Sequence, residues 1–367
     1  MPLPQNRADH VGSLLRPAAL RRAHGDRREQ RIGADILEAA VESAIREAVQ
    51  RQEQAGLRVV TDGEFRRGSW FLGFVDAVEG IALAQVPLRF TADGVDDKTW
   101  HGPVIRGKLR RTRPIVLDDF IFLQGITAQV AKVTLPTPSV MHFFGGENGV
   151  DRTVYADLPL FFADLAAIYR DEIAALHQQG CRYLQFDEVP LALLCDPAIR
   201  LAIKASGEDP ERLIGLYIKA VNDALCGRPP DLCVVMHLCR GNYRGRWMGK
   251  GGYDPIAERL FNQLDVDGFL LEFDSERAGS FEPLRYLPAN KRAFLGLISS
   301  KNEALEDADQ LARRLDQAFR YAPAERLGLC PQCGFASSAG GNPLPPQMQW
   351  AKLALTVATA QRVWGES

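Results

Sequence analysis

The sequence predicts a (β/α)8 barrel that carries a long insertion after its second strand. Three observations predict it. Eight candidate strands, most of them short apolar runs, alternate with helix-periodic stretches along the 367 residues. Nearly every run ends, on its C-terminal side, in reactive or turn chemistry: His10-Val-Gly-Ser13, Asp62 and Glu64, Pro136-Thr-Pro-Ser139, Asp187 and Glu188, His237 and Cys239, Glu272, Ser299 and Cys333. A closed barrel gathers eight such ends around one mouth. A doubly wound open sheet gathers only those near its switch point.

The elements follow in order. Residues 6–11 read as the first strand. Residues 35–56 read as a helix, because Ile36, Leu37, Ala40, Val41, Ala44, Ile45, Ala48 and Val49 form one stripe and Gly56 fits the stop. Residues 57–61 are the second strand, ending in Asp62-Gly63-Glu64. The stretch 65–129 is too long for an ordinary strand-to-helix loop. It holds Trp70-Phe-Leu-Gly-Phe74 and the basic Arg106-Gly-Lys-Leu-Arg-Arg-Thr-Arg113, and is expected to fold as a hairpin and helix over one side of the mouth. Residues 131–135 form the third strand. A helix capped by Asp157, with Pro159 in its first turn, runs to Gly180. Strand 182–186, helix 210–226, strand 232–236, helix 253–263 and strand 268–271 come next. Strand 292–298, helix 305–321, strand 326–329 and a final helix 346–363 complete the chain. With no internal repeat or low-complexity linker, residues 1–367 read as one domain.

Composition narrows the function classes. Hydrophobic content of 46% and charged content of 25% are those of an ordinary globular protein. A net charge of −2, with no basic stripe interleaved with aromatics, gives no reason to expect nucleic acid. No run is apolar enough to span a bilayer, and residues 1–10 lack the apolar stretch of a signal peptide. Seven scattered cysteines, an odd number, point to a reducing compartment, so a cytoplasmic protein is expected. Cys181, Cys195, Cys226 and Cys233 read as core packing.

Metal chemistry stands out. The apolar run before His237-Leu-Cys239 ends abruptly in two soft ligands, and residues two apart on a strand point the same way. Leu271-Glu272 ends the next strand, and Cys330-Pro-Gln-Cys333 follows the last. Histidine, cysteine, carboxylate and cysteine suit Zn2+. Spacing alone leaves Cys330 and Cys333 equal candidates. A His-x-Cys by itself is often a core histidine beside a buried thiol; the strand-terminal glutamate and the Cys-x-x-Cys shift the reading to metal. A sulfur-rich zinc site suits a thiol substrate, whose thiolate it keeps nucleophilic at neutral pH, and so alkyl transfer to sulfur rather than hydrolysis.

Taken together, His10-Val-Gly-Ser-Leu-Leu-Arg-Pro17, Asp62-Gly-Glu-Phe-Arg-Arg67, Gln185-Phe-Asp-Glu188, His237-Leu-Cys239, Leu271-Glu-Phe273 and Gln332-Cys-Gly-Phe335 resemble the cobalamin-independent methionine synthase family. The likeness is to its C-terminal catalytic barrel and to its short, single-barrel members. It implies zinc on His237, Cys239, Glu272 and Cys333, settling Cys333 over Cys330. It also implies that Gly12, Ser13, Glu64 and Asp187 hold homocysteine, with a methyltetrahydrofolate-type compound as methyl donor. The long enzymes carry a proton-delivering histidine after the seventh strand. Here that run is Leu297-Ile-Ser-Ser-Lys301, without histidine. His10, Asp187 and Glu188 form the expected catalytic set, with Lys301 as a further proton source. Trp70 and Trp247 are candidates for a wall against a flat donor. The expected partners are a small-molecule thiol and a methyl donor, and homo-oligomer formation is left open. Three alternatives remain: a zinc-dependent thiol alkyltransferase acting on an epoxide or another methylated compound, a non-catalytic zinc-binding barrel, and a metal-free decarboxylase-like barrel.

Overall fold

The computed structural model describes residues 6–86, 90–92, 95–97 and 100–365. The remainder of the 65–129 insertion and the residues 1–5 and 366–367 lie outside that set. At the centre is a six-stranded parallel sheet. Its order is Leu327–Pro331, Arg292–Ile298, Gly268–Glu272, Cys233–Leu238, Tyr183–Glu188, Val133–Pro136. Five of the six strands are buried at every position, and Arg292 alone is half-buried in the sixth, as expected of parallel strands covered on both faces. Helices Leu158–Gln178, Pro210–Leu225, Ala257–Gln263 and Ala308–Ala318 fill crossovers between them. Aspartates start three of these helices: Asp157, Asp209 and Asp307 accept from the amides of Leu160, Glu211 and Gln310.

The sheet continues at both edges. Val59–Val60 pairs in parallel with Val130–Ala131, and the Lys132 amide donates to Val60 O at 2.9 Å. At the other edge Ala8 bridges Leu329 in parallel, with the Asp9 amide on Leu329 O at 3.1 Å. All eight predicted strand segments therefore fall in chain order. Two are shorter than expected: residues 6–11 contribute one bridge, and residues 57–61 a two-residue strand. Among the described residues no strand ladder joins these two.

The reason lies in side chains that occupy the backbone of the first segment. The His10 amide donates to Asp9 Oδ1 at 2.7 Å, and Lys132 Nζ donates to His10 O. Gln185 Nε2 takes Val11 O at 2.7 Å and Thr61 Oγ1 takes Gly12 O at 2.7 Å. A backbone satisfied this way has little left to offer a neighbouring strand. On the sheet, Val11, Val59, Tyr183, Val235, Leu270, Phe294 and Cys330 form one apolar layer. A larger cluster fills the space between sheet and helices.

Within the insertion, helix Leu72–Ala77 leads into an antiparallel pair, Val78–Gln85 with His101–Arg111, and helix Leu117–Gln124 follows. Its basic cluster is largely paired: Lys108 with Asp164 at 2.6 Å, Arg110 with Glu79 at 2.6 Å, Arg111 with buried Glu172 at 2.5 Å. Three expectations need correction. The helix expected from 253 begins at Ala257, because Tyr253 is fully buried and its hydroxyl meets Arg240 Nη1 at 3.1 Å and the Glu272 amide at 3.0 Å. The helix expected at 305–321 spans Ala308–Ala318, since the Asp307 cap fixes its start. Cys226 is exposed rather than packed in the core, whereas Cys181, Cys195 and Cys233 are buried. No helix among the described residues is long and apolar enough to cross a membrane.

Candidate active site

The C-terminal ends of the strands surround a cavity. His237, Cys239 and Cys333 line one wall, Glu64, Asp187 and Glu188 another, and Val11 and Ser13 a third. Trp70, Trp100, Phe144 and Met248 supply its apolar surface. Strand Cys233–Leu238 aims His237, and Cys239 follows two residues on. Cys333 lies just past the last strand. Asn242 Nδ2 donates to Gly334 O at 2.8 Å, so the loop after Cys239 is fastened to the loop after Cys333. The two sulfurs come within 3.5 Å.

The ligand atoms of His237, Cys239 and Cys333 all lie within 4.8 Å of one another, and all three residues are buried. The His237 ring is oriented by Nδ1, which meets Leu270 O at 3.2 Å. That contact leaves Nε2 buried without a hydrogen bond of normal geometry. Such a nitrogen, fixed through its other side by a carbonyl and facing two sulfurs, has the arrangement of a zinc ligand. The hydrogen bond to Cys333, with burial, pushes the Cys239 thiol well above its ordinary value. Without a cation the Cys239 thiol keeps its proton.

Glu272 does not join the cluster of three. Its carboxylate meets Arg277, the Arg240 amide at 2.8 Å and Lys301 Nζ at 3.5 Å. Burial opposes its charge, but Lys301, Arg277 and Arg240 outweigh that and hold it down to about 2. Sequence reading noted Lys301 only as a proton source and missed Arg277; five residues separate Arg277 from Glu272, and no periodic signal marks the pair.

Glu64 is positioned by strain. Gly63 and Glu64 both have positive φ, +70° and +61°, and the Glu64 amide donates to Asp62 Oδ1 at 2.9 Å. The turn throws its carboxylate to Thr134 Oγ1 at 3.2 Å and Arg67 at 3.7 Å. Burial raises the Glu64 carboxyl to about 7; Arg67 opposes this and Asp187 adds to it. Asp187, also raised by burial, accepts from Gln185 Nε2 at 2.7 Å. Gly12 has φ of +129°, where side chains are strained, and a Cβ there would lie 3.3 Å from Thr134 Cγ2. A Cβ on Gly334 would lie 1.9 Å from Ser13 Oγ. The Ser13 and Gly334 loops thus meet backbone to side chain, and the Phe335 amide closes them on Ser13 O at 2.9 Å.

Glu188 follows Asp187 on the same strand, Tyr183–Glu188. It lines the cavity but is held by Thr137 and Ser139 hydroxyls at 2.5 Å and the Leu191 amide at 2.6 Å, with burial raising it to about 7. His10 does not line the cavity; burial and Lys132 lower it to about 3. Trp70 lines the cavity as expected, whereas Trp247 does not and packs under the Arg277 guanidinium at 5.2 Å. Trp100 and Phe144 were not anticipated. Their sequence context is a loop and a short helix, with no signal beyond aromaticity.

Residues 8–360 match the family model for the catalytic domain of cobalamin-independent synthases. The chain is 39% identical to the uncharacterized Bacillus subtilis protein YxjH over 98% of its own length and 94% of that protein. It is 26% identical to methionine synthase of Pyrococcus abyssi, covering 91% of this chain and 87% of that one. A Listeria monocytogenes structure, a candidate vitamin-B12-independent methionine synthase, superposes with a TM-score of 0.78 at 31% identity over the whole of both chains. A B12-independent methionine synthase structure from Shewanella shares the fold, with a TM-score of 0.74 at 20% identity over 97% of both chains.

Proposed function

Because the chain belongs to the cobalamin-independent methionine synthase family, we propose that it is a cytoplasmic zinc-dependent S-methyltransferase that converts homocysteine to methionine. The donor is of the methyltetrahydrofolate type, and the architecture is a closed (β/α)8 barrel of one domain with residues 65–129 over its mouth. One observation carries the reading: three buried soft ligands face the same cavity as three buried carboxyls, those of Glu64, Asp187 and Glu188. His237, Cys239 and Cys333 would hold the zinc, with Glu272 as the fourth ligand once its ion pairs yield. Zinc bound there lowers the pKa of a thiol and keeps it nucleophilic near neutral pH.

The chain's own residues do the rest. Glu64 and Asp187 receive the substrate's ammonium group; their raised affinity for protons is what a cationic partner relieves. The Gly12-Ser13 turn takes its carboxylate. The apolar wall of Trp70, Trp100 and Phe144 excludes water and seats the donor. Glu188, protonated over much of the range below neutrality, is the cavity-lining acid able to donate a proton to the leaving group.

A second reading keeps the thiol chemistry and changes the electrophile to an epoxide or another methylated compound. It is favoured by the cavity lining, in which His237 is the one histidine. The test is direct. Purified protein is assayed for zinc and for methionine formation from homocysteine with methyltetrahydrofolate. Stoichiometric zinc with turnover is expected. Zinc without turnover on that pair, but with turnover on another electrophile, selects the second reading. Failure to take up zinc sinks both.

A further inference from the structure

A second, open groove lies between helix Ala18–Arg28, the turn after Glu64 and the loop at Ala339 and Gly340. Five arginines line it, Arg16, Arg21, Arg28, Arg66 and Arg67, with His24 beside them and no Asp or Glu. Like charges at this density need either fixed neighbours or an anion to stay together. Fixed neighbours are present, and most are neutral. Arg16 donates to Glu64 O at 2.9 Å and to Arg67 O. Arg67 donates to Thr134 Oγ1 at 2.9 Å and Thr134 O at 3.1 Å. The Arg66 guanidinium lies over the Phe122 ring at 4.7 Å. Carboxylates reach two of the five from outside the lining: Glu38 at 2.9 Å and Asp119 at 3.6 Å from Arg66, Glu64 at 3.7 Å from Arg67.

The group is preorganised yet under-satisfied. Arg66 Nη1, Arg67 Nε and His24 Nε2 are buried, and none has a hydrogen-bond partner among the described residues. Arg67 as a whole is only 8% exposed. A buried donor without a partner is costly. Guanidiniums held in fixed orientations match the paired oxygens of phosphate and carboxylate. We infer that this groove binds a small, multiply charged oxyanion, a phosphate or a polycarboxylate, on Arg16, Arg21, Arg28, Arg66 and Arg67. The groove contains none of the residues assigned to the metal or the thiol. It approaches them through Arg16 and Arg67, which both meet Glu64, and the inference stands whatever the reaction proves to be.

Calorimetric titration of the full-length protein tests it, with inorganic phosphate in one arm and citrate in the other, at constant ionic strength. Saturable one-site binding is expected in at least one arm, and the tighter arm identifies the oxyanion class. Arg21→Ala/Arg28→Ala, on the exposed face of the helix, should weaken that binding at least tenfold. Arg22→Ala/Arg27→Ala, on the same helix but outside the groove, should leave it within twofold. No saturable binding in either arm overturns the inference. So does equal weakening by both double variants, which would mark general electrostatic attraction.

Discussion

At the scale of single residues, the metal cluster separates cysteines that sequence treats alike. Cys239 and Cys333 face each other across 3.5 Å, whereas Cys330 sits in the buried apolar layer with Val11, Tyr183 and Phe294. Cys239→Ser and Cys333→Ser should each lose zinc and activity together, while Cys330→Ser should keep zinc. Elemental analysis of the three proteins decides this, and a zinc-free Cys330→Ser protein would contradict the assignment. Glu188 provides a pH test. Its carboxyl is raised from 4.5 to about 7 in the folded state. The folded state therefore holds the proton more tightly, and this contribution is fully present below about 4.5 and lost as pH rises through about 7. Forced ionisation costs up to about 3 kcal/mol. Glu188→Gln should therefore lose about 1–3 kcal/mol less stability than the parent between pH 5 and pH 8, read from urea unfolding at both values. Identical pH dependence would place the proton elsewhere. The pair His237 and Cys239 was legible in sequence because strand periodicity alone puts them on one side. The ion pairs of Glu272 were not, because Arg277 and Lys301 arrive from different connections.

At the scale of elements, the Asp157 cap marked the start of helix Leu158–Gln178 in the chain, whereas the Asp307 cap was not read and its helix starts three residues later than expected. Asp307→Ala removes the cap on Gln310 N and should cost about 1 kcal/mol in unfolding free energy, with activity retained. An unchanged midpoint in chemical denaturation would count against that cap. The first strand illustrates the opposite case. Its place beside the last strand was expected, yet Lys132, Gln185 and Thr61 took carbonyls of residues 10–12 and left one bridge. Lys132→Met should leave Asp9 buried without its cation and cost about 3–5 kcal/mol. Thermal unfolding checks this, and a loss below 1 kcal/mol would show the first segment to be held by packing instead. No local pattern announces such pins, since the three donors come from three different segments.

At the scale of the whole molecule, the insertion and the metal cluster line the same cavity. Trp100→Ala should therefore keep stoichiometric zinc while turnover falls at least tenfold, because the water-excluding wall opens and the ligands do not move. Zinc loss in this variant would mean that the wall also supports the ligands. By itself the sequence determined the alternation of strands and helices, the ends of the strands as the place of chemistry, and the soft ligands there. Those features depend on periodicity and residue type, which are local. Only the tertiary structure decided that Glu272 rests among cations, that His10 lies away from the cavity, that Trp100 rather than Trp247 walls it, and that five arginines share a groove. Each of these depends on which distant segments the fold brings within a few ångströms, and no local spacing encodes that distance.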